Sequence, residues 1–310
     1  MKAANGPEET LLRLFYKKER GVTVNVYKNK KPAWVFLIPA FLFMAVFLYY
    51  PFLQNIVNSF MKIRNLGGGA KGVNNPFYKN YAELLTDPNM RVALKNTVIM
   101  IFVTLFGEVG LAVILAMLVD NVKRGTKFFR IVYFFPIVIS ATALGVLFNL
   151  IFQYDGGMLS QLVGEKTNWK ELYPLTVMMT PVVWQYVGFY FIILVTGLNN
   201  IPEELYESAA IDGATRWQKV RYISWPLLHN VVCTCAVLAV TGALKVFDLP
   251  WVMFPNGAPL GKTWLTGTYM YYKTMQAPDI DYSSAIAFFI VILGVILSKV
   301  VNKIFKERDY

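Results

Sequence analysis

The sequence predicts an all-α, polytopic membrane protein with six transmembrane helices. Three observations predict it. Of 310 residues, 56% are apolar and only 16% are charged, whereas a water-soluble domain runs about 45–50% apolar and about 25% charged. Six apolar stretches, at residues 34–60, 97–119, 131–153, 173–196, 230–251 and 283–301, are each near or above the roughly 20 residues that a helix needs to cross a bilayer. The basic residues are also divided unequally between the loops that six crossings would place on opposite sides. The length would allow two soluble domains, but the composition argues against them, and disorder needs low hydrophobicity. Helices are the natural choice, because backbone in contact with lipid must satisfy its own hydrogen bonds.

Residues 1–31 are polar and basic and hold no apolar core of signal-peptide type. They read as a cytoplasmic segment ahead of one transmembrane domain, 32–310. Pro51, Pro136, Gly145, Pro181, Gly188 and Gly242 mark kinks or close contacts within the spans. Gly67, Gly68, Gly69 and Gly72 make the first loop between spans flexible. Tyr154-Asp155-Gly156-Gly157 reads as a turn after span three. Trp34, Tyr49, Tyr50, Tyr133, Tyr173 and Trp251 cluster near span ends, as an interfacial aromatic belt does.

The formal net charge is +11. In a soluble protein this would suggest a polyanion such as nucleic acid. Here position decides: 19 basic residues fall on the side of the termini and 10 on the other. The excess therefore reports topology, with both termini in the cytoplasm of a multi-pass inner-membrane protein. The expected surroundings are a lipid bilayer and no nucleic acid.

The segment 199–226 is unlike the other loops, and a loop of this length with its own pattern is usually functional. Asn200 reads as an N-cap with Glu203 completing a capping box, and Pro202 suits the first turn. Glu203, Glu204 and Glu207 complement the positive helix end. Ile201, Leu205 and Ala209 share a face, and Gly213 stops the helix. A second short helix follows from Thr215, with Trp217, Val220 and Tyr222 or Ile223 as apolar positions. Pro226 ends the unit or opens the next span. Small residues (Ser208, Ala209, Ala210, Gly213, Ala214) would let another surface approach closely. The alternative is an amphipathic helix lying on the bilayer, although such helices are usually basic and this one is acidic.

The order Glu207-Ser208-Ala209, Gly213, Ile223, Pro226 resembles the EAA loop of ATP-binding-cassette importer permeases. That pattern is Glu-Ala-Ala, three residues, Gly, nine residues, Ile, one residue, Leu-Pro. The spacing matches throughout, with Ser208 and Trp225 as the two departures. Asn96-Thr97, Pro136, Phe247-Asp248 and Asp212-Gly213-Ala214 are similar to carbohydrate permeases of the maltose-transporter MalF type. In place of that subgroup's Thr-x-Gly-Gly-Pro element stands Phe254-Pro255-Asn256-Gly257-Ala258-Pro259. The resemblance implies a type I importer permease fold and a sugar or oligosaccharide as cargo. It implies as partners a second homologous permease, two copies of an ATPase and an extracytoplasmic solute-binding protein. It also implies that Glu207, Ser208, Ala209, Gly213, Ile223 and Pro226 contact the ATPase, with Asp212 and Arg216 as polar supports.

Gly257-Ala258-Pro259-Leu260-Gly261-Lys262-Thr263 superficially resembles a P-loop, but it has three residues between its glycines where the motif needs four, and no strand precedes it. The chain is therefore not expected to hydrolyse ATP, and no catalytic residue or cofactor is assigned. Cys233 and Cys235 form a C-x-C without further ligands, and His229 is the single histidine. They read as packing and interfacial residues, and no metal site is expected.

Ionisable residues inside spans suggest function. Glu108 lies midway along span two. Lys245 and Asp248, at i and i+3 in span five, would share a face. Glu108 is open to a second reading as a structural hydrogen bond, and Lys245 with Asp248 to one as an internal ion pair. Sugars are bound by aromatic faces with amide, hydroxyl and charged groups. Trp184, Gln185, Tyr186, Phe189, Tyr190 and Phe247 are accordingly candidates for the substrate path, with Trp184 and Gly188 giving a ring beside a gap. The rival readings are a secondary transporter or channel, which would need inverted repeats or an ion-coupled site, and a membrane enzyme, for which no nucleophile or metal cluster is visible.

Overall fold

A computed structural model describes residues 31–63, 65, 67, 69–120 and 126–304. The basic stretch before residue 31, Lys123 and Arg124, and Lys306 and Arg308 lie outside the described residues. The chain divides into two compact units, residues 1–54 and 55–310. The described part of the first is the body of α1 (Trp34–Asn58). From Trp34 to Gln54 every residue is exposed, apolar side chains included. A helix that is apolar all round belongs in lipid or against another protein.

The regular structure of the second unit's described residues is helical, apart from one isolated bridge between Met61 and Val73. It begins with α2 (Lys79–Thr86) and α3 (Pro88–Val119). Asp87 caps α3, its Oδ1 accepting from the Asn89 amide at 2.9 Å, and Pro88 fills the first turn. The helix therefore starts at Pro88 and not near residue 97, and Asn96-Thr97 lie inside it. Residues Thr104–Gly110 of α3 form a π-helical turn. Two helices follow, α4 (Lys127–Val138) and α5 (Ala141–Ile151), meeting at 95°. The apolar stretch predicted one span here, with Pro136 marking no more than a kink. The break is supported by Ser140, whose Oγ caps α5 by accepting from the Ala143 amide at 3.2 Å. Among the described residues five helices are long and apolar enough to cross a membrane, and the bent pair supplies a sixth crossing if it counts as one.

Short helices α6 (Met158–Val163) and α7 (Trp169–Leu172) lead to α8 (Pro174–Asn199). Helix α9 (Glu203–Ile211) is followed by α10 (Arg216–Lys219). A π-helical turn, Val220–Ser224, carries α10 into α11 (Trp225–Lys245). Two non-helical residues then precede α12 (Asp248–Met253), and α13 (Thr266–Met275) and α14 (Ile280–Ile304) complete the unit.

Helix α8 is the core. Val182, Phe191 and Leu194 on it are at most 1% exposed; Val182 clusters with Met100 of α3 and Val240 of α11, and Phe191 and Leu194 with Val109, Ala112 and Ala116 of α3 and Leu228, Cys235 and Ala239 of α11. Gly188 lets α8 meet α4 at backbone distance: a Cβ there would lie 1.7 Å from the Tyr133 carbonyl oxygen.

The end remote from α9 is tied by long-range hydrogen bonds. Asn96 Nδ2 donates to the carbonyls of Lys262 and Trp264, both at 2.8 Å. The Thr97 hydroxyl accepts from the Thr266 amide at 3.1 Å. Asp87 Oδ2 accepts from the Tyr269 hydroxyl at 2.5 Å and the Tyr282 hydroxyl at 2.8 Å. The loop holding the glycines is pinched at its base, where Lys62 donates its amide to Gly72 and Lys71 returns one to Lys62. The P-loop-like run Gly257–Thr263 is a tight turn gripped by Asn96, and no strand precedes it among the described residues.

Two carboxyls at this end titrate in opposite senses. Burial pushes Asp87 up, but bonds from Tyr269, Tyr282 and the amides of Asn89 and Met90 outweigh it and hold the carboxyl below its ordinary value. Asp279 is pushed up to about 6, first by burial and then by the hydrogen bond and charge of Asp281, against the attraction of Lys273. A raised carboxyl favours the folded state below its unfolded value of about 3.9, and that contribution is lost as pH rises through the folded value.

Two outcomes are expected. Asp279→Asn reduces the loss of thermal stability as pH rises between about pH 4 and 6 and raises the unfolding temperature at neutral pH, read by thermal denaturation of the detergent-solubilised protein. Gly188→Ala lowers the unfolding temperature by at least the equivalent of the about 1–3 kcal/mol typical of overpacking, because the obstacle is backbone and cannot rotate away.

Candidate functional site

The first candidate region is the segment between α8 and α11. Its helix α9 starts with Pro202 as N-cap and no side-chain cap, and Asn200 instead closes the C-terminus of α8. The capping box expected at Asn200 and Glu203 is therefore not formed. The segment's capping box belongs to α10: Thr215 Oγ1 accepts from the Gln218 amide, and Gln218 Oε1 accepts from the Thr215 amide at 2.7 Å. The pattern Thr-x-x-Gln was readable in the sequence as such a box. Gly213 ends α9 as expected, with φ +77, and the Ala214 amide folds back to the Ala209 carbonyl at 2.9 Å.

Two contacts that sequence reasoning missed join the short helices. The Tyr206 hydroxyl pairs with Ser224 Oγ at 2.9 Å, where Ser224 is buried, and Lys219 Nζ donates to the Tyr206 carbonyl at 3.0 Å. The inward face of α9 thus carries Tyr206 and Ala209, and Leu205 is exposed. Glu207, Ser208, Asp212, Gly213 and Arg216 are exposed, while Ile223 and Pro226 are half-buried at the root of α11. Trp217 and Tyr222, expected to pack inward, are each 74% exposed. Ala209, Asp212, Gly213, Ala214, Tyr222 and Ile223 line an open hollow on this surface.

The second region is a cavity of about 180 Å³ in the body of the helices. It gathers seven of the nine substrate-path candidates: Glu108, Gln185, Tyr186, Tyr190, Lys245, Phe247 and Asp248. Thr104, Ala239 and Gly242 line it as well and were not foreseen as a lining. Trp184 and Phe189 are not among its walls. Trp184 lines a separate apolar groove with Ile99, Val103 and Thr180, and its ring stands edge-on to Phe148 at 5.8 Å. Phe189 packs against Tyr190 at 5.2 Å. The gap expected beside Trp184 at Gly188 is filled by the Tyr133 carbonyl. Helical spacing carries the distinction: 182, 185, 186 and 190 share a face of α8 and 184 does not.

The cavity is walled by departures from regular helix. Glu108, 2% exposed, rides on the π turn of α3. Gln185 Nε2 donates to the Ile139 carbonyl at 3.2 Å, satisfying backbone at the bend between α4 and α5. Lys245 ends α11 and Asp248 begins α12, with Val246 (ψ 121) and Phe247 (φ −142) between them. The shared helical face expected for that pair is therefore broken. The described residues hold one salt bridge, Lys166–Asp155, so these two are not joined as an ion pair. Phe247 meets Trp251 at 5.8 Å and Tyr271 at 4.8 Å, and the latter two lie 4.9 Å apart. Cys233 and Cys235 are buried in α11.

Residues 108–308 match the family model described as binding-protein-dependent transport system inner membrane component. A relative from Bacillus subtilis, the probable ABC transporter permease protein YurN, is 30% identical over 91% of this chain and 98% of its own length. The lactose transport system permease protein LacF of Rhizobium radiobacter is 29% identical over 86% of this chain and 91% of its own. Among solved structures, a bacterial ABC transporter involved in the import of the acidic polysaccharide alginate has the same fold. Its TM-score is 0.79 at 19% identity, covering 95% of this chain and 98% of that one.

Tyr206→Phe removes the hydroxyl that partners buried Ser224, a change worth about 1–3 kcal/mol. Amide hydrogen exchange across residues 203–224 should accelerate by roughly the corresponding factor of five or more, while exchange in the middle of α8 stays unchanged.

Proposed function

The chain belongs to the family of binding-protein-dependent transport system inner membrane components, and from that membership and the geometry above we propose that it translocates a sugar or short oligosaccharide. It does so as one transmembrane subunit of an ATP-driven importer, paired with a second, homologous permease. Two copies of a separate ATPase subunit lie on the cytoplasmic side and hydrolyse the ATP. A solute-binding protein delivers the cargo from outside. The sugar assignment is supported by the lactose permease relative and by the aromatic, amide and carboxyl groups in the cavity wall. The excess of basic residues on the side of α9 supports an orientation with both termini and α9 in the cytoplasm.

One observation carries the mechanism. The α9–α10 unit is the root of α11, and α11 ends in the cavity wall. Its 21 residues span about 30 Å at 1.5 Å per residue, and Ala239, Gly242, Ala243 and Lys245 on it line the cavity. In this reading Glu207, Ser208, Ala209 and Gly213 form the surface that the ATPase grips, with Asp212 and Arg216 beside them. The bonds of Tyr206 to Ser224 and of Lys219 to the Tyr206 carbonyl make the two short helices move as one piece. Closure of the ATPase pair pushes that piece, and the push travels along α11. The helix break at Val246–Phe247 then changes which side the cavity opens to. Alternating access needs a two-state element that both ends can bias, and the break supplies it.

Gly213→Trp separates docking from folding. A Cβ at Gly213 meets nothing within 4 Å, so the local cost is the about 1–2 kcal/mol of a left-handed non-glycine residue. The expected result is normal insertion into the membrane with ATP-driven uptake by the assembled transporter reduced at least tenfold. Uptake at the wild-type rate would overturn the assignment of this surface.

A further inference from the structure

The turn between α12 and α13 holds one side chain in a conformation that the fold itself does not need. Leu260 is 94% exposed, and its φ is +51. An exposed leucine alone needs no explanation. A leucine in the left-handed region does, because its Cβ crowds the backbone and glycine or asparagine is the ordinary occupant. The same turn uses glycine for that purpose at Gly257 and Gly261, with φ of +69 and +74. Leu260 therefore adds backbone strain and exposed apolar surface, and so exposed a side chain gains little packing to offset them. Backbone outliers of this kind concentrate where a ligand or partner is met. The base under Leu260 is stiff. Asn96 grips the carbonyls of Lys262 and Trp264, the Thr263 hydroxyl donates to the Ala258 carbonyl at 2.6 Å, and the Lys262 amide donates to the Pro259 carbonyl at 3.0 Å. Trp264, 4% exposed, fills the space beside Gly257, where a Cβ would come within 2.4 Å of its ring. A contact presented on a rigid base loses little freedom on binding.

The charges on the two segments that build this corner have one sign. No acidic residue falls between 88 and 98 or between 249 and 278, while Arg91, Lys95 and Lys262 are exposed. We propose that Leu260 is an apolar anchor for the solute-binding protein, received in an apolar pocket with an acidic rim on that protein. The inference rests on the reading of this end, remote from α9, as the outer face of an importer, which is the face where that partner arrives. The basic surround steers the approach and fixes its register. The leucine supplies the contact that becomes buried, and buried central contacts carry most of the energy of an interface. The strain at Leu260 then has a purpose: it aims the side chain away from its own fold.

The test uses the assembled transporter in nanodiscs, titrated with the purified solute-binding protein that supports its uptake, and reads the ATPase rate. Leu260→Gly removes the anchor and suits the backbone. It is expected to keep or raise the unfolding temperature, keep the maximal ATPase rate, and raise the half-saturating concentration of the binding protein by about fivefold or more. Lys262→Glu raises that concentration by about threefold at low salt, and the difference shrinks as salt screens the charges. Leu260→Cys carrying a benzophenone label, directed there because Cys233 and Cys235 are buried, gives an adduct with the binding protein on irradiation. An unchanged half-saturating concentration in Leu260→Gly overturns the proposal. So does a lower unfolding temperature in that variant, which would assign Leu260 to the fold, or an adduct with lipid or the second permease in place of the binding protein. In each of these cases the importer reading stands, provided that the binding protein stimulates the wild-type ATPase. A wild-type assembly that the binding protein does not stimulate sinks the importer reading, and the proposal with it.

Discussion

Backbone inside a bilayer must find its hydrogen bonds within the protein, and an interruption of regular helix is tolerated only where protein or a cavity takes up the freed groups. The second unit of this chain is organised around that constraint. Its interruptions in the body of the helices are the π turn of α3, the bend between α4 and α5, and the two-residue break between α11 and α12. All three converge on one cavity. The bend's Ile139 carbonyl is satisfied by Gln185, which itself stands in the cavity wall. The π turn carries Glu108, and the break carries Phe247 between Lys245 and Asp248. π-Helical turns recur at functional sites because one extra residue per turn re-aims a side chain at the cost of a regular ladder. The cavity is thus where the helices could be irregular, and the irregularity supplies its polar lining.

The α9–α10 unit solves a different problem. Helices of nine and four residues are too short to be stable alone. Stability has to come from their ends and from each other. The Thr215–Gln218 box satisfies the start of α10, Gly213 permits the left-handed turn out of α9, and Tyr206 reaches Ser224 on the first turns leading to α11. The outward side is left unencumbered, with Glu207, Gly213 and Arg216 free of packing duties. A piece held rigid from behind and bare in front is suited to transmitting force from a partner.

How much of this was legible in the sequence follows from which signals are local. A helical chain with five or six spans and the stop at Gly213 come from composition and short-range pattern, and the structure agrees with them. The bend after Val138 was not legible, because apolar residues continue through it and Pro136 announces only a kink. The cap was misplaced on Asn200 because Asn-x-x-Glu scores like a cap, while the chain needs Asn200 to close α8. Trp184 was chosen alongside Gln185, Tyr186 and Tyr190 for its chemistry, although the spacing of 182, 185, 186 and 190 already set the cavity face apart from it. Gly188 as a gap for a ligand and as a gap for the Tyr133 carbonyl look alike in one dimension. Only the position of α4 decides between them.

The two ends of the unit differ in how they are held, and the difference bears on where the chain can move. At one end Asn96, Thr97 and Asp87 on and before α3 grip the segment from Lys262 to Tyr282 through hydrogen bonds that span more than 160 residues. At the other end, among the described residues, side-chain bonds of the α9–α10 unit run from Tyr206 to Ser224 at the root of α11 and from Lys219 to Tyr206. A displacement applied there cannot be absorbed inside a regular helix, whose bonds resist bending, nor at the gripped end. It is left to the places where the ladder is already open: the break at Val246–Phe247 and the bend at Ile139. Both border the cavity, and Gln185 touches one of them directly. In the proposed importer, the same irregularities that line the path for a sugar are therefore the joints that open and close it.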